Sequence, residues 1–126
     1  FANTTGSTVT GKVTGCTRAI NGGGNHTISG TISGNATGTL ALTDAGEQLI
    51  VTTNQTIPAN VSVAFPTNST VVIFNNSASP ITVAITTDTL RLAGGATTGT
   101  RTIAAYGLCT LIKVASTTWV ASGNVT

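Results

Sequence analysis

Ile81-Thr82-Val83-Ala84-Ile85-Thr86 alternates branched apolar residues with small ones, without a break. Successive side chains of an extended chain point to opposite faces. This spelling therefore predicts one strand, with Ile81, Val83 and Ile85 on one side and Thr82, Ala84 and Thr86 on the other. Val71-Val72-Ile73-Phe74 and Thr110-Leu111-Ile112-Lys113-Val114 are β-branched runs of the same length, bounded by turn formers. Weaker runs predict further strands over 9–13, 26–32, 39–42, 48–52, 61–64, 90–92, 101–103 and 119–121. The best helix candidate, 41–48, contains Thr43-Asp44-Ala45-Gly46, which reads as a turn. Abundant Thr and Val lower helix propensity elsewhere.

Turn signals punctuate these runs: Pro58-Ala59-Asn60, Pro66-Thr67-Asn68, Asn75-Asn76-Ser77-Ala78-Ser79-Pro80 and Gly94-Gly95-Ala96-Thr97-Thr98-Gly99. Short strands separated this way favour a sandwich, jelly roll or barrel. The predicted fold is an all-β compact domain over residues 43–126, preceded by a Gly/Thr-rich extended arm or accessory strands over 1–42. The first 42 residues hold nine glycines and few large side chains, too little bulk for a core of their own. Thr27-Ile28-Ser29-Gly30 and Thr31-Ile32-Ser33-Gly34 repeat in tandem, which is ordinary Thr-rich strand with turns.

Charge is scarce. Only 6% of the 126 residues are charged, against about 25% in an average soluble domain. Five cations, Lys12, Arg18, Arg91, Arg101 and Lys113, form no run and give a formal net charge of +2. Nucleic-acid binding draws on a dense basic stripe, so none is expected here. No apolar run approaches a membrane span, so no membrane partner is expected either. With 4% aromatic residues the core must be aliphatic and thin, a composition that invites oligomerisation. The chain begins at Phe1 rather than Met, and a processed or truncated N-terminus is inferred.

Catalytic chemistry needs titratable groups that converge, and few are available. His26 is the sole imidazole, beside a glycine loop, and no Gly-x-Ser-x-Gly elbow presents a nucleophile. Asp44 and Glu47 flank Gly46, while Asp88 stands alone. Asp44 and Asp88 are expected to bind backbone N–H groups in turns. No Cys-x-x-Cys, His pair or acid-rich loop suggests a metal, and the glycine loops lack a phosphate-binding context. No catalytic residue, metal or cofactor is therefore assigned. Cys16 and Cys109 either form a bridge closing a long loop or remain two buried thiols, the preferred reading. Eight of ten Asn residues, at 3, 25, 35, 54, 60, 68, 75 and 124, begin Asn-x-Ser/Thr triplets. These carry glycans in some secreted proteins; the reading preferred here is turn and strand-edge residues.

From about Thr43 onward the chain resembles a β-domain of tailed-phage virion proteins, found in head-decoration (cement) proteins and in tail- or head-fibre modules. The resemblance rests on Thr43-Asp44-Ala45-Gly46, Thr56-Ile57-Pro58, Val71-Val72-Ile73-Phe74-Asn75 and Ile81-Thr82-Val83. It is strongest in Arg101-Thr102-Ile103, Tyr106-Gly107, Thr110-Leu111-Ile112-Lys113-Val114 and Trp119-Val120-Ala121-Ser122-Gly123. It covers about two-thirds of the chain and implies a homotrimeric, non-enzymatic part of the virion.

The expected function is that of a capsid decoration protein on the virion surface: a trimer that clamps the major capsid protein or another virion protein. The alternatives are a fibre or spike module binding host-surface glycan, and an extracellular filament subunit joined by β-strand addition. Trp119, Tyr106, Phe65, Phe74 and Phe1 are the candidate anchors of a core or subunit seam. Asn75, Ser77, Ser79, Gly94, Gly95, Thr97 and Thr98 are the candidate exposed binding-loop residues.

Overall fold

The computed structural model of the chain describes residues 38–126. Expectations at Phe1, Cys16 and His26, and for strands over 9–13 and 26–32, lie outside the described residues. The decisive segment folds as expected: Ile81 and Val83 are buried, while Thr82 and Ala84 face the other way. Eight strands follow one another: β1 (Gln48–Val51), β2 (Gln55–Ile57), β3 (Thr70–Asn75), β4 (Ile81–Ile85), β5 (Thr89–Leu92), β6 (Arg101–Ile103), β7 (Leu108–Ala115) and β8 (Thr118–Gly123). Apart from a 3-10 turn at Leu42–Asp44 there is no helix among the described residues, and the fold is all-β.

The strands form two mixed sheets, one ordered β1-β3-β7-β8-β5 and the other β2-β4-β6. Neither closes into a barrel. In the larger sheet β1 runs parallel to β3 and β5 parallel to β8, while β7 is antiparallel to both its neighbours. Inward residues of both sheets build one aliphatic core, including Leu49, Val71, Ile73, Leu111 and Ala121 from the larger and Ile57, Val83 and Ile103 from the smaller. Leu40, on the N-terminal side of Thr43, belongs to the same core at 1% exposure.

Two local expectations fail and one strand was not foreseen, each for an identifiable reason. Residues 61–64 form a turn, not a strand: the Ala59 carbonyl accepts N–H bonds from Ser62 and Val63, and Pro58 and Pro66 bracket the segment. Residues 39–42 make only a single bridge, Thr39 to Thr56, because Asp44 Oδ2 takes the Ala41 N–H at 2.7 Å and turns the chain. Strand β2 escaped notice because it has only three residues and places polar Gln55 on its buried side.

Strand edges are largely closed. Residues 38–40 line β2, with Thr56 N–H bonding Gly38 O at 2.7 Å. The C-terminal residues line β6, where Thr102 and Thr126 exchange two bonds of 3.0 Å. The 94–99 loop folds back on β5, its Thr97 carbonyl accepting the Leu92 N–H at 3.0 Å. Among the described residues only β1 keeps an edge with no neighbouring strand or capping segment.

Candidate interaction surface

Strand β7 shows why the larger sheet has two apolar faces. Its alternation sends Cys109, Leu111 and Lys113 inward and Leu108, Ile112 and Val114 outward. Across the ladders, Leu108 sits opposite Phe74, Phe74 opposite Ile50, and Ile112 opposite Val120. Ile50 is 66% exposed, Leu108 50%, Val114 48% and Ile112 39%. Phe74, Val72 and Val120 are half-buried between them. An apolar run along a strand is normal where both faces are covered. Among the described residues only one is, and a contiguous exposed apolar face on a small protein marks a contact site. The face carries one charge in its central rows, Arg91 beside Val120 on β5.

The inner side of β7 holds a different arrangement. Trp119 is 1% exposed and meets Phe65 edge-to-face, with ring centroids 5.2 Å apart and planes at 80°. Lys113, also 1% exposed, has its Nζ 5.8 Å from the Trp119 ring centre. That ammonium donates to Asn60 Oδ1 at 2.5 Å and to the Phe65 carbonyl at 2.7 Å. Asn60 is fixed in turn by its N–H, which donates to Asp88 Oδ2 at 2.9 Å. The burial of Lys113 went unnoticed in the sequence, although its spacing from Cys109 and Leu111 places it on their face.

The candidate anchors separate. Trp119 and Phe65 are core. Phe74 is not: it lies on the outer face, because Val71, Ile73 and Asn75 take the inward positions of β3. Tyr106 is no core anchor either, being 62% exposed with a left-handed φ of 54°. Its N–H donates to the Ser77 carbonyl at 3.1 Å, which places it beside the 75–80 turn.

Among the loop candidates, Ser79, Gly94, Gly95, Thr97 and Thr98 are exposed and Ser77 is half-buried. Asn75 is a correction. It is completely buried, as the last inward residue of β3, and its Nδ2 donates at 2.9 Å to the carbonyls of Ser79 and Ala104.

The other Asn triplets have similar local roles. Asn54 Oδ1 accepts the Thr82 N–H at 2.9 Å, Asn124 Oδ1 accepts that of Leu108 at 3.1 Å, and Asn68 adopts a positive φ of 71°. Four of the five described triplet asparagines thus spend their side chains on internal hydrogen bonds. Asp44 and Asp88 accept backbone N–H groups, as expected. Cys109 is a free, buried thiol, and burial pushes its pKa from 9.0 up to about 12.

Among the described residues no three His, Cys, Asp or Glu side chains gather as metal ligands. No helix among them is long and apolar enough to cross a membrane. A shallow groove of about 460 Å³ runs between Pro80, Ala104 and the C-terminal Asn124, Val125 and Thr126, lined by neutral side chains. No protein-family model, curated protein or solved structure matches the chain.

Proposed function

We propose that this chain is a structural virion protein, a capsid decoration (cement) protein that assembles as a homotrimer on the phage head. The observation that carries this reading is the outer face of the larger sheet, where, among the described residues, Ile50, Leu108, Ile112 and Val114 stand exposed beside half-buried Phe74. Copies of the chain are its natural occupants. The face has almost no charge to oppose like with like, and a chain with net charge of only +2 repels its copies weakly. Adhesion to a capsid would rest on neutral hydrogen bonds and aliphatic contact, and so would change little with salt. No catalytic role is assigned. The test is addition of the purified protein to undecorated heads: saturable binding that persists at high salt supports decoration, and absence of binding removes it.

A second reading, an extracellular filament subunit assembled by β-strand addition, is supported by the edge of β1, which is unpaired among the described residues. Gln48-Leu49-Ile50-Val51 carries no Lys, Pro or bulge to deter another strand. Polymers that lengthen with concentration, seen by electron microscopy, would favour it over a closed trimer.

A further inference from the structure

Lys113 places a primary amine in the interior of a protein that offers it only neutral hydrogen-bond acceptors. Its Nζ contacts Asn60 Oδ1 at 2.5 Å and Phe65 O at 2.7 Å, beside the Trp119 ring. Burying an ammonium without a counter-ion is costly. The carboxamide carbon of Asn60 is one bond beyond the contacted oxygen, so an acyl group stands next to the amine. Reacting atoms held at roughly 3–3.5 Å by a rigid frame react far faster than free partners. The frame is present: Asp88 holds the Asn60 main chain at 2.9 Å, and Lys113 is only 1% exposed, with the Trp119 ring centre 5.8 Å from its amine.

We propose that Lys113 and Asn60 join in an intramolecular isopeptide bond. Lys113 Nζ sheds a proton and its lone pair attacks Asn60 Cγ, forming a new C–N bond. The tetrahedral adduct then collapses with cleavage of the Cγ–Nδ2 bond. The two protons lost from Nζ leave with Nδ2 as an ammonium ion, so an ammonium and a primary amide become a secondary amide and free ammonium. No oxidant or co-reactant is consumed. The buried cation disappears, which supplies a driving force, and the 58–66 turn is stitched to β7 across 53 residues of sequence. Asp88 acts as a positioning residue through the Asn60 main chain. The crosslink is independent of whether the protein decorates a capsid.

Intact-mass measurement of the full natively folded chain, followed by peptide mapping, tests the bond. The expected mass is lower than the sequence mass by one ammonia, about 17 Da. A branched peptide should join Lys113 to Asn60, and trypsin should fail to cut after Lys113. Asn60→Ala and Lys113→Arg should each restore the full mass. If either variant fails to fold, the peptide map of the unaltered chain still decides. A folded chain of full mass, or an ammonia loss that maps elsewhere, for example to Asn21-Gly22, while Lys113 stays free, would overturn the proposal.

Discussion

Phe74 and Leu108 face each other across the β3–β7 ladder, on the side of the sheet turned away from the core. Ile50 extends the row on β1, and Ile112 and Val114 continue the apolar surface along β7. Each side chain of this size gains roughly 1.5–3 kcal/mol when fully covered. If copies meet here, Leu108→Glu or Ile112→Glu should weaken association at least tenfold. Thermal unfolding of the dissociated chain should move little, since exposed substitutions usually cost within about 0.5 kcal/mol. Sedimentation velocity paired with a melting curve checks both halves; an unchanged oligomer would exclude this face.

The Phe65–Trp119 contact should behave as core. Phe65→Ala and Trp119→Ala are each expected to cost about 3–5 kcal/mol, from lost burial and the cavity left behind. Urea unfolding measures this directly. A cost below about 1 kcal/mol would mean that the ring pair is not packed as described.

Gly123 and Gly94 both have positive φ, 114° and 79°, but their surroundings differ. A Cβ on Gly94 would meet nothing within 4 Å, whereas one on Gly123 would run into the Leu108 carbonyl, where β8 pairs with β7. Gly94→Ala should therefore cost about 1 kcal/mol of backbone strain. Gly123→Ala adds a steric clash and should cost several times more. Equal losses in denaturant titrations would contradict the tight approach at Gly123.

Cys109 gives the fold a pH dependence at the alkaline end. Its pKa is raised by burial from 9.0 to about 12, so the unfolded chain loses this proton before the folded one. The stability from keeping the thiol neutral is complete below about pH 9 and declines as pH rises toward 12. The limiting slope is about 1.4 kcal/mol per pH unit. Cys109→Ala should remove that slope, and at pH 8 the native Cys109 thiol should resist alkylation until the chain is unfolded. Alkylation of Cys109 at the rate of an exposed thiol would refute its burial.

How much of this was legible in the sequence depended on whether the pattern was carried by apolar residues. Ile81–Ile85 and the body of β7 declared themselves because branched residues mark an extended chain whatever surrounds them. Asn75 was read as an exposed loop residue because it is polar, and Gln55 and Lys113 gave no apolar signal of their burial. Position parity put all three inward, where Asn75 and Lys113 bond carbonyls of distant loops and Gln55 Nε2 bonds the nearby Thr53 carbonyl. Phe74, expected to anchor a core or a subunit seam, is kept out of the core because it alternates with inward Ile73. The outer face could have been suspected from Leu108, Ile112 and Val114 sharing one parity. Only the sheet order shows that Phe74 and Ile50 extend that row.

Sedimentation equilibrium of the full chain over a wide concentration range, at low and high salt, bears most directly on self-association through an apolar sheet face. A species of three chain masses is predicted, tightening or holding steady as salt increases. A chain that stays monomeric at every concentration, with its outer β7 residues freely solvated, would contradict it.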